Sequence, residues 1–345
     1  MQATLKIDLT AICDNWRALN ALSGERVETG AVIKADAYGL GASVVGPALV
    51  SAGVKRFFVA QAEEAVALRA AIGPEPVIYN FSGLMPGDGE TIKGHNIVPV
   101  LNSAAQVQTF AKDFKGKPCA IQLDSGMNRL GMEALEAASV GLDIMTLQPD
   151  LVMSHLACAD EPLHPMNTSQ LATFAAMTFA MPSSRKALSA TGGILLGAPY
   201  HFDLTRPGIG LYGGLPFKGA KPVVQLDLPV VQVRDVMPGE SVGYGASWIA
   251  TRPSKIATVS SGYADGIIRA SSGFDLYAGN TPCPVVGRVS MDLLTVDISE
   301  LRKVPESLSL LNDVQTVDVL AEKAGTIGYE ILTGLGARYK RVYIE

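Results

Sequence analysis

Hydrophobic and polar positions follow two different spacings along this chain. From residue 30 to about residue 215, short apolar runs are separated by longer segments with the spacing of an amphipathic helix. This pattern predicts buried parallel strands joined by crossover helices, because strands covered on both faces are apolar throughout. The eight runs that we interpret as strands are Ala31–Lys34, Phe57–Ala60, Val77–Asn80, Ile97–Leu101, Cys119–Asp124, Leu151–Leu156, Lys186–Ala190 and Gly208–Gly213.

Two of the intervening segments are clear helix candidates, Ala62–Ile72 and Thr168–Met177. The second opens with a hydroxyl residue, which suits a helix N-cap. Eight strands with crossover helices favour a closed α/β barrel of the (β/α)8, TIM-like type, although an open doubly wound sheet has the same local signals. In a barrel, the active site lies at the carboxyl ends of the strands.

After about residue 222 the helical spacing gives way to strand-like runs bounded by turn residues. These runs are Val223–Gly239, Ser254–Gly266 and Cys283–Ser299. They predict a separate, mainly β domain. We therefore place a barrel domain at residues 1–226 and a carboxyl-terminal β domain at residues 227–345.

Composition and charge narrow the class of partner. The chain has 345 residues, of which 48% are hydrophobic and 18% charged, and its net charge is -5. Lysines and arginines are scattered, so neither nucleic acid nor an anionic membrane is expected to bind, and a small molecule is favoured. No apolar run reaches the roughly 18 to 20 residues of a membrane-spanning helix.

The cysteines and the first residues indicate the compartment. Four cysteines lie far apart without a CxxC pair, so the sequence suggests neither a disulfide framework nor a zinc site. The histidines show no metal-ligand spacing, and we assign no metal. Charged residues from Lys6 onward interrupt the apolar positions too early for a signal peptide. We expect a cytoplasmic protein.

One lysine stands out as a candidate for chemistry. Lys34 closes the first apolar run, within AVIKADAYGLGA (Ala31–Ala42), and a barrel would place it at the mouth. A lysine with an apolar stem environment has its charged form disfavoured, so its pKa falls and it can act as a nucleophile or a base.

The stretch Ala31–Ala42 closely resembles the cofactor-lysine motif of the alanine racemases, which are pyridoxal phosphate enzymes. Seven more motifs match that family in order: LDSGMNRLGM (Leu123–Met132), SHLACADE (Ser154–Glu161), HFDLTRPGIGLYG (His201–Gly213), VGYGASW (Val242–Trp248), SSGYADGIIR (Ser260–Arg269), VGRVSMD (Val286–Asp292) and TIGYE (Thr326–Glu330). Because they span both predicted domains, the sequence is identified as resembling this family over almost its whole length.

The resemblance implies a racemase that interconverts L-alanine and D-alanine by two-base transfer of the α-proton. Lys34 would hold pyridoxal 5'-phosphate covalently and then act as one base. Tyr263 would act as the second base on the opposite face. A phenol with its ordinary pKa of about 10 is a weak base near neutrality, and in the family it is supported by residues that match His155 and Arg206.

The resemblance also implies the residues that bind the cofactor and substrate. Arg206 would face the pyridine nitrogen, which it keeps unprotonated because a guanidinium does not give up its proton, and His155 would stack on the ring. Arg129 and the backbone of Met291 would bind the substrate carboxylate. The phosphate would be bound by Tyr38, Thr191, Gly208, Ile209 and Tyr329.

In the family, the tyrosine and methionine segments reach the active site of the other subunit, so the resemblance implies a homodimer with shared sites. Three positions depart from the family pattern. Gln122 replaces a lysine that is carbamylated in many members, so we expect Gln122 or a bound anion to orient Arg129. Leu40 stands where the family usually has the histidine of YGHG, and Ala190 replaces an asparagine that is common beside the phosphate-binding hydroxyl.

Several alternatives stay open at this level. The substrate could be serine or a broader set of small amino acids, and the role could be biosynthetic, for cell-wall precursors, or catabolic. A decarboxylase on the same barrel is disfavoured by Arg206, and a non-catalytic pyridoxal phosphate carrier is disfavoured by the second domain. A lysine aldolase on a barrel is a further alternative.

Overall fold

The computed structural model describes residues 2–179, 181, 184–270 and 273–345. The chain divides into two compact units, Ile12–Ala220 and Met1–Ala11 with Lys221–Glu345.

The strands are β1 (Thr4–Asp8), β2 (Glu28–Thr29), β3 (Ala31–Val32), β4 (Arg56–Val59), β5 (Val77–Asn80), β6 (Ile97–Leu101), β7 (Ala120–Gln122), β8 (Leu151–Met153), β9 (Arg185–Ala187), β10 (Leu204–Thr205), β11 (Val224–Val236), β12 (Ser241–Val242), β13 (Trp248–Ile249), β14 (Ser254–Ser260), β15 (Asp275–Ala278), β16 (Thr281–Pro284), β17 (Leu293–Asp297), β18 (Ser307–Leu311) and β19 (Lys340–Ile344). The α-helices are α1 (Leu9–Ser23), α2 (Lys34–Tyr38), α3 (Ala42–Ala52), α4 (Ala62–Ile72), α5 (Gly89–Gly94), α6 (Ala104–Asp113), α7 (Ala134–Ser139), α8 (Gly141–Leu147), α9 (Pro165–Thr178), α10 (Thr191–Leu195), α11 (Val317–Ala324) and α12 (Gly328–Gly334).

The unit Ile12–Ala220 is a closed parallel barrel. Strands β3 to β9 form one parallel sheet in chain order. Backbone hydrogen bonds from Arg206 to Ser189 and from Gly30 to Thr205 then join β10 to β9 and to the first strand. β2 and β3 are two segments of that first strand, and β2 pairs in parallel with β10. The predicted (β/α)8 barrel is confirmed, and the alternative of an open sheet is wrong.

Burial explains why the short strands form. Every residue of β4 and of β6 is buried, as expected for strands covered on both faces. Seven of the eight predicted runs overlap the barrel strands. The prediction for Gly208–Gly213 is wrong, because Ile209–Tyr212 forms a 3-10 helix and the eighth strand is Leu204–Thr205.

The two predicted helices are both present, with one correction. α4 has the predicted bounds, Ala62–Ile72. α9 begins at Pro165 rather than at Thr168, because the ring of His164 accepts a hydrogen bond from the Met166 backbone and caps the helix. Proline at the first helical position fits this start, since its missing N–H has no intrahelical partner to lose.

The second unit is mainly β, as predicted. Its largest sheet has the strand order β16-β15-β18-β11-β1-β19, and β14 and β17 extend it from β11. β1 pairs antiparallel with β11 and in parallel with β19. The structure therefore differs from the predicted boundary at its amino-terminal side, since Thr4–Asp8 is a strand of this sheet and not of the barrel.

In the residues that the structure describes, no helix has both the length and the apolar character needed to cross a bilayer.

Candidate active site

Lys34 begins a left-handed turn at the end of the first barrel strand. The next four residues, Ala35 to Tyr38, have φ angles of 51°, 54°, 56° and 56°. A left-handed conformation costs a non-glycine residue roughly 1–2 kcal/mol, and consecutive residues rarely adopt it. Strain of this kind concentrates at functional sites, where the surrounding structure imposes it.

Hydrogen bonds hold this turn in place. The Gly39 N–H donates to the Ala35 carbonyl at 2.7 Å. The Asp36 carboxylate accepts a bond from the Ala42 N–H at 2.7 Å, which ties the turn to the start of α3. The position of Lys34 is therefore fixed by its backbone surroundings, although its side chain is exposed at the mouth.

Burial and two charged neighbours shift the pKa of Lys34. Partial removal from water is the largest effect and lowers the pKa of its amine, the positive charge of Arg129 lowers it further, and the carboxylate of Glu64 opposes both. A lysine with a lowered pKa is neutral more of the time near pH 7 and is a better nucleophile and base.

Arg206 is deeply buried beside the barrel strands. Only 1% of it is exposed, and its Nη2 donates to the carbonyls of Ser154 at 2.6 Å and Leu188 at 3.2 Å. Burial lowers its pKa to about 10, so the guanidinium stays charged at neutral pH. Its Nε has no hydrogen-bond partner among the described residues, which leaves one buried donor for a ligand.

His155 follows β8 at the same end of the barrel. Burial lowers its pKa to about 3, and the charges of Arg206, Arg129 and Lys34 act in the same direction. A neutral imidazole is therefore present throughout the physiological range. Its backbone carbonyl accepts a bond from the Gln170 side chain at 2.9 Å, which fixes this segment.

The loops after β9 and β10 meet at Thr191. Its hydroxyl oxygen accepts bonds from the Gly208 and Gly210 N–H groups, each at 3.2 Å. A Cβ at Gly208 would collide with the Tyr38 hydroxyl, so the absence of a side chain at Gly208 lets this hydroxyl lie against the backbone. Ile209 follows in the buried 3-10 helix. Tyr38, Thr191, Gly208 and Ile209 are thus brought together by the fold.

The loop after β7 places Arg129, which is exposed. The Gln122 side chain donates to the Leu130 carbonyl at 3.1 Å, so it braces the backbone next to this arginine. At Gly131, φ is +111° and a Cβ would lie 2.8 Å from the Leu123 carbonyl carbon. The tight return of this loop therefore depends on glycine.

The second unit presents Tyr263 and Met291 together. The Tyr263 N–H donates to the Ser290 carbonyl and the Ala264 N–H donates to the Met291 carbonyl, each at 3.0 Å. The side chains of Tyr263 and Met291 are both exposed. Arg338 donates two hydrogen bonds to the carboxylate of Asp265, from Nε at 2.5 Å and from Nη2 at 2.8 Å. The turn that carries Tyr263 is therefore anchored to the chain before β19.

Tyr329 lies in this unit as well, in α12, and is 39% exposed. The predicted site residues thus fall in two sets. Eight lie in the barrel: Lys34, Tyr38, Arg129, His155, Thr191, Arg206, Gly208 and Ile209. Three lie in the β unit: Tyr263, Met291 and Tyr329.

Sequence reasoning missed two supporting residues, Glu64 and Arg338. Glu64 lies three residues after Gln61, the spacing of a helix-capping glutamate, which signals a local cap but not a contact with the lysine turn. Nothing in the local sequence of Arg338 indicates a contact with Asp265, 73 residues away.

Two protein-family models match this chain, one for each of its two parts. The family model of the alanine racemase N-terminal domain matches residues 7–216, and the family model of the C-terminal domain matches residues 223–343. The chain belongs to the alanine racemase family.

Relatives and solved structures agree with this family over full length. An alanine racemase of Dinoroseobacter shibae is 60% identical over 99% of this chain and 98% of its own length. That of Rhizobium meliloti is 43% identical over 99% of this chain and 96% of its own. The crystal structure of alanine racemase from Bartonella henselae with covalently bound pyridoxal phosphate is 37% identical, has a TM-score of 0.94, and is covered completely, as is this chain.

Proposed function

We propose that this protein is a pyridoxal phosphate-dependent isomerase that interconverts L-alanine and D-alanine. The observation that carries the proposal is the 60% identity to an alanine racemase over 99% of the chain. The geometry of the barrel mouth supports it, because a lysine with a lowered pKa, a buried charged arginine and a neutral histidine meet there.

The residues of the barrel fit this coenzyme. When bound, pyridoxal phosphate withdraws electrons from the α-carbon of an amino acid and so acidifies its proton. Lys34 would hold it covalently, and the unpartnered Nε of Arg206 is a donor suited to the pyridine nitrogen. Because Arg206 stays charged, it would supply a hydrogen bond without a proton, which limits electron withdrawal and favours return of the proton to carbon.

Other side chains would orient the coenzyme and the substrate. The cluster of Tyr38, Thr191, Gly208 and Ile209 would bind the phosphate with Tyr329. His155 would lie against the ring as a neutral group. The Arg129 guanidinium, with the backbone of Met291, would bind the substrate carboxylate, since its planar fork matches two carboxylate oxygens.

Two bases on opposite faces are needed to invert a carbon centre. We propose that the Lys34 amine moves the proton on one face and the Tyr263 hydroxyl on the other. Tyr263 would be supplied by a second copy of the chain in a homodimer with shared sites. In this arrangement the barrel unit, Ile12–Ala220, provides most of the coenzyme site, and the β unit provides Tyr263, Met291 and Tyr329.

We also propose that the enzyme works in the cytoplasm. Its four cysteines, Cys13, Cys119, Cys158 and Cys283, are not joined by disulfides in the described part of the chain, which supports a reducing compartment.

A chiral assay on a panel of small amino acids tests the function. We expect alanine to be racemised in both directions and Lys34→Ala to abolish turnover. Tyr263→Phe should slow racemisation in both directions, because the two enantiomers have equal free energies, but should leave Lys34 able to exchange the α-proton of one enantiomer in deuterated water. Faster turnover of serine would reassign the substrate. Release of carbon dioxide, or coenzyme binding without exchange of the α-proton, would refute racemisation.

A further inference from the structure

The carboxylate of Glu64 joins two loops at the barrel mouth. Its Oε1 accepts a hydrogen bond from the Ala35 N–H at 2.7 Å. Its Oε2 accepts bonds from the N–H groups of Ala60 at 2.7 Å and Gln61 at 3.3 Å. One side chain of α4 therefore connects the segment after β3 with the segment after β4.

The hydrogen bond from the Ala35 N–H to Glu64 lies next to Lys34 in the chain. Ala35 directly follows Lys34 and is the first of the four left-handed residues. The direction of the Lys34 side chain depends on the backbone on both sides of its Cα, and Glu64 holds the following peptide group. A backbone that is intrinsically unfavourable needs such external bonds to persist.

Because the coenzyme would be attached to Lys34, this contact bears on catalysis. We propose that Glu64 is a positioning residue for Lys34, which fixes the left-handed turn and the orientation of the lysine amine; this inference rests on the proposed function. Glu64 itself need not touch substrate or coenzyme.

Glu64 also balances charge at the lysine. Arg129, from the loop after β7, and removal from water lower the pKa of Lys34, while Glu64, from α4, raises it. His155, after β8, is neutral because its own pKa is lowered to about 3. Loss of the Glu64 charge should therefore lower the pKa of Lys34 further.

Glu64→Gln tests both effects, because glutamine keeps the size but has one acceptor oxygen and no charge. Glu63→Gln is the matched control, since Glu63 is an exposed neighbour in the same helical turn and has the same charge. We expect kcat/KM for alanine to fall at least about tenfold in both directions for Glu64→Gln, and to stay within about twofold for Glu63→Gln.

A second readout does not depend on turnover. Cyanate modifies only neutral amines, so the pH dependence of Lys34 carbamoylation in the full chain freed of coenzyme, read by peptide mass spectrometry, reports its pKa. We expect the midpoint to fall by about half a pH unit in Glu64→Gln and to be unchanged in Glu63→Gln. If Glu64→Gln does not fold, Glu64→Asp, which keeps the charge but is shorter, should lose activity without this shift.

Equal midpoints and equal kcat/KM in Glu64→Gln and Glu63→Gln would overturn the proposal. Suppose instead that the wild-type protein fails to racemise alanine while Glu64→Gln still lowers the midpoint of Lys34 carbamoylation. That result would refute the proposed function, and the link between Glu64 and Lys34 would stand.

Discussion

Replacement of Arg206 by methionine separates stability from activity. Methionine is unbranched and flexible, and although it is shorter than arginine it has no charge and no hydrogen-bond donor. The change therefore removes the charge and both hydrogen bonds from a site that is only 1% exposed. Two opposing effects on stability follow. The carbonyls of Ser154 and Leu188 lose a donor, and a buried charge disappears.

Their magnitudes can be compared. Leaving two buried carbonyls without this donor costs about 2–6 kcal/mol, at 1–3 kcal/mol each. Burial lowers the pKa of Arg206 from 12.5 to about 10, and removal of that charge recovers about 3 kcal/mol. The free energy of unfolding should therefore change by no more than about 3 kcal/mol. Loss of a preorganised donor at the coenzyme should instead reduce kcat about 100-fold or more.

Urea unfolding of the coenzyme-free chain and a chiral assay of the loaded enzyme measure the two quantities. Arg185→Met is the control, because Arg185 is 44% exposed and its ion pair with Asp150 should contribute less than about 1 kcal/mol. We expect this control to keep its activity. An Arg206→Met protein with activity within fivefold of wild type, or one destabilised by more than about 5 kcal/mol, would refute the reasoning.

Three further predictions concern other residues of the site. The lowered pKa of His155 predicts no change in its imidazole NMR signals between pH 5 and 8, and a transition in that range would contradict it. Gly131→Ala should raise KM for alanine about tenfold or more through the Arg129 loop, as initial rates will show, because the added Cβ would meet backbone atoms; an unchanged KM would be inconsistent with this. Thr191→Val removes the acceptor for two N–H groups and should weaken pyridoxal phosphate binding about tenfold in an absorbance titration, whereas wild-type affinity would exclude this role.

The sequence predicted most of the barrel because most of its strands are short runs dominated by apolar residues. It failed for the eighth strand for the same reason. Gly208–Gly213 is as apolar as a buried strand, yet it is a 3-10 helix, and the true strand, Leu204–Thr205, has only two residues. Periodicity cannot distinguish such short segments.

The sequence was enough to name the residues of the candidate site, but not to predict their backbone conformation or burial. The family motifs name Lys34 and Arg206, but nothing in the residues Ala35 to Tyr38 indicates four consecutive left-handed conformations. That conformation depends on bonds from distant residues such as Glu64. The burial that shifts the pKa of His155 likewise arises only when the loops after several strands converge.

The pairing of β1 has a consequence for synthesis of the chain. Thr4–Asp8 leaves the ribosome more than three hundred residues before Lys340–Ile344, one of its neighbours in the sheet. The barrel residues can therefore fold before Lys340–Ile344 is available to pair with Thr4–Asp8. The β unit should therefore complete this sheet only after Lys340–Ile344 has been translated.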